Sequence, residues 1–332
     1  MSSLVPFVAI VGPTASGKSA LGVCLAERLG GEVVVCDSTQ VYRHVDIGTA
    51  KLACHEQRGI PHHLVDLLEP EEVFTAGEYR RRALEVLENL HRRGKLPIFA
   101  VGTGLYLRAL LEGLSDAPTR SEQLRARLRQ RAQSRGSAYL HRILARLDPQ
   151  AAARIALRDA PKLIRAIEVC LLAGKSLSEV HRAGRPRLEG FSAIKVGLMP
   201  ARAALYERIE QRCKAMLEAG WLEEVKRLIV QGLPASAKPF QFIGYGELRA
   251  YLEGQQSWKE AVRAIQQATR RYAKRQMTWF RKEPGVRWFA GFGHEAAIAS
   301  AVLEYLKERL APFQLGPRDR NTRDGSPSCM SC

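Results

Sequence analysis

Residues 8–21 read VAIVGPTASGKSAL: an apolar run, then a glycine loop, then a stretch with helix-forming character. The loop, GPTASGKS at 12–19, fits the pattern G-x-x-x-x-G-K-S. A loop of this kind turns successive backbone N–H groups and the N-terminus of the following helix toward a phosphate. Lys18 then reaches the outer phosphoryl and Ser19 stands where Mg²⁺ is held. Strand, loop and helix agree, so the signal is specific for a phosphate, but it leaves open what the phosphate is attached to.

Outward from this loop the chain alternates strand and helix. Residues 19–29 read as helix, 32–36 (EVVVC) as a buried strand ending at Asp37, 76–93 as helix, and 96–101 (LPIFAV) as a strand running into Gly102-Thr103-Gly104. This alternation predicts an α/β fold: a P-loop NTPase-like parallel sheet flanked by helices. Functional groups of such sheets gather at the carboxyl ends of the strands, which puts Asp37, Ser38 and Thr103 on the edge that carries the P-loop. Between 119 and 184 the apolar strands disappear. Leu124, Leu128, Leu140, Leu144 and Leu147 recur at helical spacing among many arginines, which predicts a helical insertion domain with an exposed basic face. A strand at 193–199 re-enters the sheet, long helices follow to about 282, and 286–289 form a short strand. The expected organisation is a core at 1–118, the insertion at 119–184, the second part of the core at 185–311 and a disordered tail at 312–332.

The charge balance narrows the partners. Of 332 residues, 51 are Lys or Arg and 34 Asp or Glu, a formal charge of +17 that points to a polyanion or, at its blandest, to solvated arginine faces. The cysteines number seven, an odd count, and neither a leader-like start nor an apolar run near the ~20 residues of a membrane span is present, so a cytoplasmic protein with no membrane contact is expected. Cys329 and Cys332 form one C-x-x-C without a second pair, and half a zinc site is not a site.

Several residues invite chemistry. Asp37 can accept a proton beside a bound phosphate, contact Mg²⁺ or merely cap a turn. Arg208 and Arg212, four apart on one helix face, are either solvated or grip a leaving pyrophosphate. His62 and His63 are adjacent on an extended segment and point to opposite sides, which favours structural roles over metal binding. RRYAKRQMTWFRK at 270–282 interleaves cations with Tyr272, Trp279 and Phe280, suiting either a nucleic-acid surface or core aromatics beneath a solvated basic face.

Six stretches in fixed order, GPTASGKS (12–19), DSTQVYRHVDIGTAK (37–51), GIPHHLVD (59–66), GTGLYLRALLEGL (102–114), IRAIEV (164–169) and KRQMTWFR (274–281), resemble the tRNA dimethylallyltransferases over residues 8 to 290. The resemblance implies transfer of a dimethylallyl group from dimethylallyl diphosphate to N6 of the adenosine 3′ of the anticodon, with Mg²⁺ and release of pyrophosphate. It implies that Gly12, Pro13, Thr14, Ala15, Ser16, Gly17, Lys18 and Ser19 hold the diphosphate, with Ser19 toward the metal. Asp37 would contact the adenine amine and Arg212 steady the leaving group. Facing the anticodon stem-loop would be Asp37, Ser38, Thr39 and Gln40, then Thr103 and Arg125, then Pro161, Lys162, Leu163, Ile164 and Arg165. Gln241, Phe242, Ile243, Gly244, Tyr245 and Gly246 would join them, with Lys274, Arg275, Gln276, Met277, Thr278, Trp279, Phe280 and Arg281. The enzyme is expected to be a monomer.

The chain departs from the family pattern at Val101, Leu52 and Gly246, the last standing where a basic residue is common. Three rival activities share parts of the signal: a small-molecule kinase, a prenyltransferase acting on free adenine nucleotides, and a non-catalytic RNA-binding ATPase. The first would need ATP, the second no basic helix, and the third would form no product.

Overall fold

The computed structural model describes residues 4–182, 184 and 186–313. Most of the expected tail, residues 314–332 with Cys329 and Cys332, lies outside the described residues. In chain order the elements are β1 Val5–Val11, α1 Lys18–Leu29, β2 Gly31–Cys36, α2 Cys54–Gln57, β3 His62–His63, α3 Ala76–Arg92, β4 Leu96–Val101 and α4 Gly104–Glu112. The helices α5 Glu122–Arg135, α6 Ser137–Leu147, α7 Pro149–Arg154, α8 Ala160–Ala173 and α9 Leu177–Arg182 follow. Then come β5 Phe191–Leu198, α10 Arg202–Glu218, α11 Trp221–Val230, a 3₁₀ turn Pro239–Gln241, α12 Tyr245–Leu252, α13 Trp258–Phe280, β6 Val286–Phe289 and α14 Ala296–Leu310.

Two compact units result: one of residues up to Thr75 with Arg81–Gly104 and Gly190 onward, the other of Ala76–Arg80 with Leu105–Glu189. The first holds a six-stranded sheet in the order β3-β2-β4-β1-β5-β6, parallel throughout. β2 and β4 are buried along their whole length and β1 at all but its first residue, as the unbroken apolar runs of a parallel sheet require. Leu21 and Leu25 of α1 and Val302, Leu306 and Leu310 of α14 pack with Val8, Ile10, Ile98 and Val196 of the sheet. A second core joins Val41, Tyr42 and Val45 to Trp221, Val225, Tyr245, Leu248 and Ile265, and so fixes the loop after β2 against the late helices.

The sequence did not announce α14 or the two-residue edge strand β3. His62 pairs with Val33 and His63 with Val34. One nitrogen of each imidazole is engaged, His62 Nδ1 donating to the Ile60 carbonyl (2.8 Å) and His63 Nε2 lying 2.6 Å from Glu32 Oε2, which also accepts from Arg93.

The helical unit spans Leu105–Glu189 and contains the expected 119–184 within it. Leu128, Leu140 and Leu144 are buried with Leu163 and Ile167, while Leu147 is exposed. Beside this core lies Glu168, wholly buried, whose carboxylate accepts from Arg125 Nε (2.9 Å) and Nη2 (2.8 Å), Arg165 Nη1 (2.7 Å) and Ser121 N (2.8 Å). Burial opposes its ionisation, but the hydrogen bonds from Arg125, Arg165 and Ser121 prevail and hold its pKa down to about 2, from 4.5. A depressed carboxylate stabilises the fold fully above its unfolded pKa and loses that contribution as pH falls through its folded one. The stability advantage of the wild type over Glu168→Gln is therefore expected to shrink by about 3 kcal/mol between pH 4.5 and pH 2, as read by urea unfolding. An advantage independent of pH over that window would contradict this account.

Candidate active site

The P-loop follows β1 directly. Gly17, with φ +88°, caps α1 without any side-chain hydrogen bond, so the amides of the first turn are left for an external acceptor. Gly17 also admits close approach: a Cβ there would lie 2.8 Å from Gly293 N, and Gly293 N donates to the Ser16 carbonyl at 2.9 Å. The loop after β6 thus seats itself on the P-loop, a contact no sequence motif signalled. Lys18 Nζ donates to the carbonyls of Gly12 (3.0 Å) and Pro13 (2.8 Å), which pins the ammonium over the loop. Desolvation lowers its pKa to about 8, with Asp37 raising it and Arg212 lowering it further.

Two positions of the expected diphosphate loop have no free amide to offer. Pro13 has no N–H to offer. The Thr14 amide is already engaged, donating to Gln276 Oε1 at 2.6 Å. Gln276 is buried on α13, and its Nε2 donates to the Gly102 carbonyl (2.8 Å), which also accepts from Tyr272 Oη (3.2 Å). One side chain therefore joins the P-loop to the end of β4.

Asp37 leaves the end of β2. Its Oδ1 accepts from Thr39 N (2.8 Å) and Thr39 Oγ1 (2.7 Å), while a Cβ at Gly102 would overlap Oδ2, so any side chain at 102 would displace the carboxylate. Thr103 Oγ1 accepts from Ser38 N (3.0 Å) and donates to Ser38 Oγ (3.2 Å). Arg212 projects from α10; desolvation lowers its pKa, Asp37 opposes that shift and Arg208 adds to it. Among the described residues no carboxylate pairs with Arg212, so it is available to an anion. Arg208 is engaged with its own neighbours, Nη1 lying 3.0 Å from His294 Nε2 and Cζ 5.2 Å from the Phe292 ring centre.

Thr14 and Ala15 of the P-loop, Asp37, Ser38 and Arg212 border one cavity of about 280 Å³. Thr14, Asp37, Ser38, Thr39, Arg212, Tyr272 and Arg275 contribute its polar part, and Ala15, Ile209, Cys213, Met216, Trp221, Phe242, Ile243 and Ile265 its apolar part. A charged end joined to an apolar chamber suits an amphiphilic anion.

The stretches assigned to tRNA separate in the structure. On α13, Lys274, Arg275 and Thr278 are exposed with Arg271, and Arg281 at the helix C-cap is exposed too, a basic stripe at helical spacing. Gln276 and Phe280 are buried on the opposite face and cannot meet tRNA; Met277 and Trp279 are half-buried, Trp279 against Gly104. Of 161–165, Pro161 and Lys162 are exposed, whereas Leu163 and Ile164 belong to the helical core and Arg165 pairs with Glu168. Arg125 is likewise spent on Glu168. Gln40 holds the carbonyls of Thr49 and Ala50 rather than facing outward. Gln241, Phe242 and Ile243 line the cavity, Gly244 and Tyr245 are buried and Gly246 is half-buried.

Sequence reasoning missed Glu224. It is buried on α11, and its carboxylate accepts from Asp46 N (2.8 Å), Ile47 N (2.8 Å), Gly48 N (3.1 Å) and Tyr245 Oη (2.5 Å). Glutamates within helices are too common to single out, and only the fold brings the loop to it. Among the described residues no group of three His, Cys, Asp or Glu could hold a metal, and no helix is long and apolar enough to cross a membrane.

Comparison with known proteins agrees with this geometry. Residues 40–283 match the IPP transferase family model. A tRNA dimethylallyltransferase of Koribacter versatilis is 53% identical over 92% of this chain and 99% of its own length, and one of Solibacter usitatus 48% identical over 93% and 99%. Among solved structures, the tRNA isopentenylpyrophosphate transferase of Bacillus halodurans superposes with a TM-score of 0.69 at 36% identity, covering 93% of this chain and 98% of that one. A eukaryotic dimethylallyltransferase acting on tRNA reaches a TM-score of 0.79 at 26% identity, covering 93% and 80%. With a family model spanning most of the fold and relatives this similar along nearly their whole length, the chain belongs to the tRNA dimethylallyltransferase family.

Proposed function

We propose that the protein transfers the dimethylallyl group of dimethylallyl diphosphate to N6 of adenosine 37 in tRNA, in the cytoplasm, releasing pyrophosphate. The observation that carries the reading is the meeting, around one cavity, of Thr14 and Ala15 of the phosphate loop, an arginine with no carboxylate partner among the described residues, a strand-end carboxylate and an apolar lining. The allylic C1–O bond breaks and its electron pair leaves with the diphosphate, while the N6 lone pair forms the new C1–N bond. Positive charge develops on N6 as this happens, so its proton becomes acidic and passes to Asp37. An exocyclic amine is a weak nucleophile, which makes placement beside that carboxylate the main requirement. Lys18, Arg212 and the uncapped amides of α1 meet the charge growing on the departing diphosphate.

Mg²⁺ fits the donor set: the Ser19 hydroxyl opens α1, and this ion is ordinarily held by few protein oxygens together with phosphate oxygens and waters. When bound it would screen the diphosphate charge. The exposed basic stripe of α13 provides electrostatic attraction for the anticodon stem, whose loop adenosine can be turned out of its stack at modest cost.

The test follows released pyrophosphate with protein, tRNA, Mg²⁺ and either donor. Dimethylallyl diphosphate is expected to be consumed only when tRNA is present, with ATP neither required nor hydrolysed, and the product nucleoside is expected to carry the mass of one dimethylallyl group. Strict dependence on ATP would restore a kinase, and equal use of free adenine nucleotides would remove tRNA as the acceptor.

A further inference from the structure

We infer that Trp221 is the end wall of the donor chamber and sets the length of the tail it accepts: five carbons fit, and ten do not. The inference rests on the reading of the donor as a prenyl diphosphate. Ile209, Arg212, Cys213 and Met216 all border the cavity and occupy one face of α10 at helical spacing. Ile209 packs with Ala15 of the P-loop, whereas Cys213 belongs to the cluster around Trp221, so the lining runs from the phosphate loop past Arg212 toward the indole. At 1.5 Å per residue Met216 stands about 6 Å beyond Arg212. With bonds of ~1.5 Å, a dimethylallyl tail extends roughly 5 Å, comparable to the rise from Arg212 to Met216, and one more isoprene unit doubles that reach in the direction of the indole.

A wall limits length only if it cannot step aside, and this one is held on several sides. Trp221 is buried, its ring set between two glycines where any Cβ would collide with it: at Gly48 against Nε1, at Gly244 against Cζ2. Gly48 is fixed in turn, because Glu224 accepts its N–H together with those of Asp46 and Ile47. The same carboxylate holds Tyr245, whose ring meets the indole nearly edge-on, with centroids 5.9 Å apart and planes at 72°. Packing this close transmits a clash instead of absorbing it. The bond exchange is the same for either donor: C1–O breaks onto the diphosphate, C1–N6 forms, and the N6 proton goes to Asp37. Tail length therefore acts on admission of the donor and not on the chemistry.

The test compares dimethylallyl and geranyl diphosphate with wild type, Trp221→Ala and Trp221→Phe, reading pyrophosphate release and the mass of the modified nucleoside. The wild type should prefer the five-carbon donor by about 100-fold in kcat/KM, and Trp221→Ala should move the ratio toward the ten-carbon donor by about 10- to 200-fold. A folded Trp221→Ala with an unchanged ratio, or a wild type that accepts both donors equally, overturns the inference. Should Trp221→Ala fail to fold, Trp221→Phe decides: it should gain on geranyl diphosphate and lose the change in tryptophan fluorescence that is expected when dimethylallyl diphosphate is added to the wild type. An undiminished fluorescence change in Trp221→Phe, or a raised KM for tRNA with the donor ratio unmoved, sinks it. A wild type inert toward both donors refutes the donor reading itself, and the inference with it.

Discussion

Asp37→Ala is expected to lower the turnover of bound substrates by about 10²- to 10⁴-fold, the range for loss of a positioned proton acceptor, with tRNA affinity little changed. The carboxylate stands at the end of β2 with Oδ1 fixed by both groups of Thr39, and it is the negative neighbour felt by both Lys18 and Arg212. Asp37→Asn keeps the volume and one oxygen while removing the charge, so it should lose nearly as much. Single-turnover formation of the modified nucleoside is the measurement, and near-normal turnover in either variant would take Asp37 out of the reaction.

Lys18→Ala should cost about 10²- to 10³-fold in kcat/KM for the donor, because the charge pinned over the P-loop meets the oxygens on which negative charge grows. The wild type should reveal the same group by its pH profile. In the free protein desolvation brings the Lys18 pKa down to about 8, so the ammonium is complete below that pH and is lost above it. The wild-type kcat/KM should accordingly fall as pH rises through about 8, and the profile of Lys18→Ala should lack that limb. An identical alkaline limb in both proteins would assign it elsewhere.

The parallel sheet was legible because its strands are buried on both faces and therefore read as unbroken apolar runs, EVVVC and LPIFAV among them. Asp37 and Thr103 were legible because each follows such a run at its carboxyl end, and Lys18 because the glycine loop GPTASGKS carries it. What escaped was long-range. Glu224 meets the backbone of 46–48 from a distance of more than 170 residues, and Gln276 reaches Thr14 across 262, so no local pattern could single them out. A motif also hides which of its members face outward. KRQMTWFR reads as one basic, aromatic stretch, yet helical periodicity sends Lys274, Arg275 and Thr278 to the surface and Gln276 and Phe280 into the core. The arginines at 125 and 165 count as positive charge in the composition, yet both turn inward to one buried glutamate, which offsets one of their two charges.

The amide of Gln276 has a consequence for how freely α13 can change. At that position the helix must present an acceptor to Thr14 N and a donor to the Gly102 carbonyl at once. Glutamate would supply only the first while ionised, and leucine neither, whereas an amide of this length supplies both. Two residues away, Lys274 is exposed and can exchange for arginine without disturbing the interior, whereas Arg275 lies over the Tyr272 ring and borders the cavity. A single turn of helix thus combines a surface open to drift with an interior position that tolerates almost none, and the spacing between basic stripe and phosphate loop stays fixed while the stripe itself is free to change.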